Sequence, residues 1–237
     1  MPGFAAHPLR PRADLRLPPD AGSLGRASRE FFLAPTEVVA RRLLGAWLVR
    51  PWRGRAYGAR IVEVEAYLGT GDAAAHSFGG RRTERVEPMY GPGGLLYVFA
   101  VYGMHYCANV VTRKEGVPQA VLIRAAEHPV AAAEALSGPA RLCRALGIVR
   151  ADSGRDLAGG AGWEIRPDPV ARRLVAASPR IGVDYAGEAA EWPLRFSIIG
   201  NPAVSRPPAR PASTRSPRRG GAAGTRGAPR PRGSARS

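Results

Sequence analysis

Along Ile61–Tyr67 apolar and polar positions alternate strictly, with Val62, Val64 and Ala66 on one face and Glu63, Glu65 and Tyr67 on the other. A period of two predicts a half-buried strand, one face core and the other bearing two carboxylates. Tyr57–Tyr67 as a whole and Ala46–Arg50 read as two strands joined by a turn around Gly54. Leu95–Val111 (LLYVFAVYGMHYCANVV) holds two runs of β-branched and aromatic residues broken at Tyr102-Gly103, a hairpin signal that puts Tyr102 at or beside the tip. Gln119–Arg124 (QAVLIR) is a further strand.

Helical signals are fewer. Thr36 reads as an N-cap with Glu37 in the first turn, Val38–Leu44 supplies apolar residues, and Gly45 closes a helix over 36–44. Gly138–Gly147 predicts a second helix, Pro139 at its first position and Gly147 past its end, with an amide-rich N-terminus open to a phosphate. Pro129–Leu136 predicts a short helix. Phe78–Gly94 is an irregular loop with GG, GP and GG breaks that carries Arg81, Arg82 and Arg85. Arg155–Leu157, Trp163–Ile165, Arg180–Tyr185 and Leu194–Ile199 add short elements of mixed type.

The two ends lack this patterning. Residues 1–28 are rich in proline, arginine and alanine and predict a disordered or extended arm. From Pro202 onward the chain is Pro, Gly, Ala and Ser with nine arginines (206, 210, 215, 218, 219, 226, 230, 232 and 236) and no acid, so residues 206–237 predict a disordered basic tail that grips phosphates without sequence preference. One mixed α/β domain over 29–205 remains between them.

Charge narrows the partner. The net charge is +16, and Lys114 is the only lysine among 35 basic residues. Arginine's planar fork suits phosphate, so nucleic acid leads, with an anionic membrane surface behind it. No run of 18 apolar residues and no N-terminal apolar h-region is present, so a cytoplasmic protein without a membrane span is expected. Cys107 and Cys143 are too few for a disulfide framework and read as buried thiols. His7, His76, His105 and His128 form no metal-binding spacing, so no metal or organic cofactor is expected.

After the acidic strand comes the turn LGTGD, then Ala73–Ala75 and His76, so the histidine folds back toward the carboxylates and Glu65, Tyr67 and His76 come within reach of one another. Pattern alone leaves two readings open: a site, or a solvated strand face beside a loop histidine. Tyr97, Phe99 and Tyr106 read as core-facing aromatics. An acidic strand, a histidine, arginine-bearing loops and an aromatic at a hairpin tip together fit a protein that grips nucleic acid and acts on a base. Such chemistry needs the nucleotide rotated out of the stack and a wedge in its place.

Several stretches in unbroken order resemble the alkyladenine, or 3-methyladenine, DNA glycosylases of the mammalian type: RIVEVEAYLG with AAHSFGGRRT, LYVFAVYGMHYCANVV, VLIRAAE, SGPARLCRALGI, RIGVDYAG and PLRFSIIGNPAVS. The resemblance runs from about Glu30 to Ser205 and implies a curved, largely antiparallel sheet with flanking helices. It implies that Glu65 is the catalytic carboxylate that deprotonates water for attack on the sugar C1′. It places Tyr67 and His76 around the flipped base, Asn109 on the pocket floor and Arg124 behind it, with Tyr102 as the intercalating residue and Met104 beside it. Aromatic faces would favour a base made cationic by alkylation.

The chain departs from the family at Phe99, where many members carry tyrosine, at Arg141, which replaces a lysine, and in a shorter connection between Arg124 and Gly138. Arg81, Arg82, Arg85 and Arg141 are the expected DNA-backbone contacts. Only Lys114 and the N-terminus offer an amine for lyase chemistry, which favours a monofunctional enzyme. The expected activity is excision of alkylated or deaminated purines from double-stranded DNA by a monomer. A DNA-binding protein of the same fold that has lost catalysis is the alternative.

Overall fold

Residues 9–159 and 162–206 are described by the structure, a computed structural model. Among them the alternating runs become β1 (Trp47–Trp52), β2 (Arg55–Tyr67), β3 (Leu96–Val101), β4 (His105–Thr112), β5 (Gln119–Glu127), β6 (Glu164–Arg166), β7 (Val175–Ser178) and β8 (Arg195–Ile198). They form one sheet in the order β3-β4-β5-β2-β1-β6, with β8 paired to the C-terminal half of β2 and β7 outside β8. Every pairing is antiparallel and the sheet does not close into a barrel. The helices α1 (Pro19–Ser23), α2 (Arg29–Leu33), α3 (Thr36–Leu43) and α4 (Pro139–Leu146) are short, so the mixed α/β class with a largely antiparallel sheet holds. No helix among the described residues is long and apolar enough to cross a membrane.

Burial divides the sheet into two faces. Leu96, Val98, Ala108, Val110, Val121, Ile123, Val64 and Ala66 pack with Val39, Ala40 and Leu43 of α3 and with Leu142, Cys143 and Leu146 of α4 in the main core. A fully buried Val or Leu contributes about 1.5–3 kcal/mol, so this layer holds sheet and helices together. The alternate positions point to the opposite face. Tyr97, Phe99, Cys107, Asn109, Leu122, Arg124 and Tyr67 lie there, lining a single cavity.

The simple alternation expected across Ile61–Tyr67 is broken by a bulge. The register of β2 against β5 slips between Ile61 and Glu63 and again between Glu63 and Val64. An extra residue of this kind re-aims the side chains that follow. Ile61, Val64 and Ala66 therefore share the main core, while Val62 packs with Ala125, Ala203 and Val204 in a separate cluster. Nor is the strand half-buried: Ile61 to Ala66 are fully buried, both carboxylates included. The solvated-face reading fails because β8 and the backbone at Ile181 and Ser205 close over the acidic face.

Local signals fare unevenly. α4 ends at Gly147 (φ 68°), as its glycine predicts, whereas α3 ends at Leu43 with Leu44 extended, and Gly45 (φ 87°) donates its N–H to Ile61 of β2 instead of closing the helix. Thr36 is not an N-cap, because tertiary contacts claim its hydroxyl: it lies 2.8 Å from that of Thr112 and donates to Gln119 at 2.5 Å. Pro129–Leu136 yields only a single turn at Ala133–Ala135. Residues 9–28 are not a disordered arm. Leu15 and Leu17 hydrogen-bond the backbone of Gly58 and Ala56, Leu15 is fully buried, and α1 puts Ala21 against Trp47 and Val49. An antiparallel edge of β2 left free by the sheet gives this proline-rich segment a place to dock. Residues 1–8 and 207–237, and with them most of the predicted tail, lie outside the described residues.

The β3–β4 hairpin turns at Tyr102 (φ 52°) and Gly103 (φ 70°). Positive φ at both central residues matches the twist of the flanking strands, but it is uncommon for an aromatic residue and costs of order 1–3 kcal/mol. The turn thrusts Tyr102 and Met104 outward, 90% and 73% exposed.

Candidate active site

Four strands carry the site in one row. Antiparallel register aligns Tyr97 of β3 with Asn109 of β4, Asn109 with Leu122 of β5, and Leu122 with Glu65 of β2. The adjacent row pairs Phe99 with Cys107. Tyr97, Asn109, Leu122, Phe99 and Cys107 floor a cavity of about 290 Å³, near the small end of ligand pockets at roughly 300–1,000 Å³, and Glu65 lies at its edge behind them. Its walls come from loops: His76 and Ala74 after β2, Met89 from the arginine-bearing loop, Pro139 at the start of α4, and Ile181 to Tyr185 before β8.

Glu65 sits at the end of the row, with no exposed surface. One carboxylate oxygen accepts the Ile181 backbone N–H at 2.8 Å and faces the Arg124 guanidinium at 3.2 Å, and the other accepts the Tyr67 hydroxyl at 2.9 Å. Burial pushes its pKa above the usual carboxylate value of 4.5, against the Arg124 charge and the two hydrogen bonds. Three donors therefore fix the group while desolvation keeps it basic, the combination a general base near neutral pH requires.

Arg124 is held in turn by Glu63. Its Nε donates to Glu63 at 3.2 Å, Arg195 donates to the same oxygen at 2.9 Å, and the Ser205 N–H donates to the other at 2.7 Å. Glu63 thus meets two guanidinium groups and a backbone amide, whereas Glu65 shares one guanidinium and binds the Tyr67 hydroxyl on the cavity side. A second buried pair locks the wall: Arg180 and Asp72, both without exposed surface, are bonded at 2.5 and 2.8 Å. Arg180 also lies 4.8 Å from the ring centre of Tyr67, fixing that ring by a cation–π contact.

His76 is bonded to Tyr97, its Nδ1 lying 2.9 Å from the hydroxyl, and packs edge-on against Phe99 with ring centres 4.5 Å apart. The expected closeness of Glu65, Tyr67 and His76 resolves into a Glu65–Tyr67 bond and a separate His76–Tyr97 bond across one cavity. Burial, then the charges of Arg85 and Arg81, depress His76 to about 4, so it is neutral at physiological pH. Asn109 donates its amide to the Tyr97 carbonyl at 3.0 Å, which orients it on the floor.

Of the predicted site residues, Tyr67, His76, Phe99, Asn109 and Arg124 line the cavity, Glu65 lies behind the Tyr67 and Arg124 side chains that it bonds, and Tyr102 and Met104 follow Val101 at the rim. The four arginines divide. Arg81 and Arg141 are exposed, and Arg141 reaches the Glu134 carbonyl at 3.3 Å. Arg82 is engaged bidentately by Glu87 at 2.6 and 2.9 Å and stacks on Tyr90. Arg85 turns back onto Phe99, 5.4 Å from its ring centre.

Sequence reasoning missed Tyr97, Cys107 and Leu122 as lining residues, although the period of two places each on the same strand face as Phe99, Asn109 or Arg124. No sequence signal exposes Ile181, which acts through its backbone.

Comparison with known proteins gives the family. The family model of methylpurine-DNA glycosylases matches residues 30–202. A protein of Desulfitobacterium hafniense, provisionally named a 3-methyladenine DNA glycosylase, is 46% identical over 200 residues, covering 76% of this chain and 98% of the relative. Proteins of the same provisional name from an Anaeromyxobacter species and from Alkaliphilus oremlandii are 47% and 42% identical, covering 82% and 76% of this chain and 100% and 99% of their own lengths. With a buried carboxylate beside an aromatic cavity and a family match across nearly three quarters of its length, this chain belongs to the methylpurine-DNA glycosylase family.

Proposed function

We propose that this protein excises alkylated or deaminated purines, the 3-methyladenine, 7-methylguanine, hypoxanthine and ethenoadenine class, from double-stranded DNA as the first step of base excision repair. The observation that carries the reading is Glu65: a carboxylate without exposed surface, gripped by Ile181, Arg124 and Tyr67 at the end of a cavity-flooring row.

Tyr102 enters the duplex from its exposed tip and fills the stack, with Met104 beside it, offsetting a flipping cost of a few kcal/mol. The base lodges between Tyr67, His76 and Phe99 over Asn109. Glu65 takes a proton from water, the water oxygen bonds to C1′, and the electron pair of the breaking N-glycosidic bond leaves with the base. The carboxylate also stabilises the oxocarbenium character that builds at the sugar. The only lysine, Lys114, lies in the turn after β4 and lines no part of the cavity, in keeping with a hydrolytic, monofunctional enzyme. The enzyme acts as a monomer at the nucleoid.

The test is release of free base, separated chromatographically, from duplexes carrying one lesion each. Release of at least one of the four lesions, with unmodified purines retained, is the expected outcome. Duplex binding without release of any lesion would leave only a DNA-binding protein of this fold.

A further inference from the structure

The seven tyrosines divide by exposure: five are buried or half-buried, and two, Tyr102 at 90% and Tyr185 at 72%, stand in solvent. Tyr102 is the hairpin tip, whereas Tyr185 lines the cavity itself. Apart from Gly182, which has no side chain, every other residue lining the cavity is buried or half-buried. The cavity therefore opens to solvent beside Tyr185.

A single exposed aromatic is ordinary on a protein surface. The footing of this one is not. Val183 and Ala186, on either side of it in sequence, are buried in one cluster with Ala74 and Ala189, and the Arg180–Asp72 pair holds the start of the segment. The backbone is thus pinned while the ring is held out over the opening. The Tyr185 hydroxyl donates to the Ala74 carbonyl at 3.4 Å, longer than an ordinary O–H···O bond. That contact joins the loop before β8 to the loop after β2, so the side chain spans the two loops that wall the cavity.

Charge decides what the ring can meet. Residues 181–191 carry three acids, Asp184, Glu188 and Glu191, all exposed, and no base. In a chain of net charge +16 this is a local face that phosphate avoids, since like charges repel. A nucleotide whose base fills the cavity must leave its sugar at the mouth, and its phosphates are drawn to the loop of the exposed Arg81 rather than to this one.

We propose that Tyr185 is a substrate-contacting residue: its ring packs on the deoxyribose of the flipped nucleotide and holds the base in the cavity without reading it. This rests on the glycosylase reading of the cavity and adds to it the contact that retains the sugar.

Binding of the full-length chain to a duplex carrying a tetrahydrofuran abasic analogue, which offers the sugar ring and no base, tests the claim beside lesion and unmodified duplexes. The wild type is expected to prefer the analogue over unmodified DNA. Tyr185→Ala should lower that preference on the order of tenfold, the effect of uncovering part of one apolar ring, and should slow release of every lesion by a similar factor at saturating enzyme. Tyr185→Phe, which keeps the ring, should retain both. The melting midpoint of either variant should stay near that of wild type, because the side chain is exposed. A wild type without preference for the analogue, an unaltered preference in Tyr185→Ala, a loss confined to lesion duplexes, or an equal loss on unmodified DNA overturns the proposal. So does a Tyr185→Phe variant as impaired as Tyr185→Ala, which would assign the effect to the hydroxyl. A wild type that releases no base yet shows the Tyr185-dependent preference supports the sugar contact and counts against the glycosylase reading instead.

Discussion

Replacing Glu65 by glutamine keeps the shape of the side chain and removes its charge. The amide oxygen can still accept from Ile181 and face Arg124, and the amide nitrogen can donate to Tyr67, whose hydroxyl rotates to accept. Arg124 keeps its pairing with Glu63. The Tyr67 hydroxyl hydrogen loses its acceptor, but the desolvation that raises the Glu65 pKa is relieved, and the two effects oppose each other. Stability should therefore change by less than about 1 kcal/mol, in contrast to the roughly 3–5 kcal/mol lost when a buried ion pair is broken outright. Chemistry should collapse. A positioned general base contributes about 10²–10⁴-fold, or roughly 3–5 kcal/mol of barrier, and stabilisation of the oxocarbenium sugar disappears with the charge. Single-turnover base release from a lesion duplex, measured beside binding anisotropy and a urea melt, separates the terms. The expected result is a loss of at least 10²-fold in release with affinity and midpoint retained. Release within tenfold of wild type would refute the assignment of Glu65 as base. Loss accompanied by a large drop in the midpoint would show that the carboxylate is structural.

Five further outcomes follow from the structure and the chain. Tyr102→Ala, at a 90% exposed position, should leave the melting midpoint within about 0.5 kcal/mol while slowing base release from paired duplexes more than from single strands. Arg180→Met strands Asp72 in the core and should destabilise the fold by about 3–5 kcal/mol in a denaturant titration. The acid limb of kcat/KM should lie above the ordinary carboxylate value of 4.5, because Glu65 must be ionised and burial raises it, and Tyr67→Phe, which removes a donor to the anion, should move the limb higher still. For His76 the sign is opposite. Its folded pKa of about 4 lies below the ordinary imidazole value of 6.5, so the stability it confers is present above 6.5 and is lost as pH falls through the interval, and His76→Gln should flatten that part of the stability curve. A chain cut after Arg206 loses the eight arginines from 210 to 236, and DNA binding should weaken and lose salt dependence while base release persists at saturating enzyme. The cut belongs there because the Ser205 amide and the Arg206 carbonyl are tied to Glu63 and Arg195.

What the chain determined by itself is what short-range pattern encodes. Alternation set β3, β4 and β5, Tyr102-Gly103 marked the hairpin tip, and Pro139 with Gly147 bounded α4. The ordered stretches from RIVEVEAYLG to PLRFSIIGNPAVS carried the family and so singled out Glu65. Tertiary structure decided which groups meet each of the two carboxylates. Glu63 is saturated by Arg124, Arg195 and Ser205, up to 142 residues away, and Glu65 receives its amide from Ile181, 116 residues away. It also decided that residues 9–28 dock along β2, that a bulge moves Val62 away from Val64, and that the exposed Arg85 lies over the Phe99 ring while Arg82 is paired with Glu87. The physical reason is common to all of these. Period and turn chemistry follow from the conformations of neighbouring residues, whereas desolvation, ion pairing and the direction of a hydrogen bond depend on groups that meet only once the sheet has closed its layers.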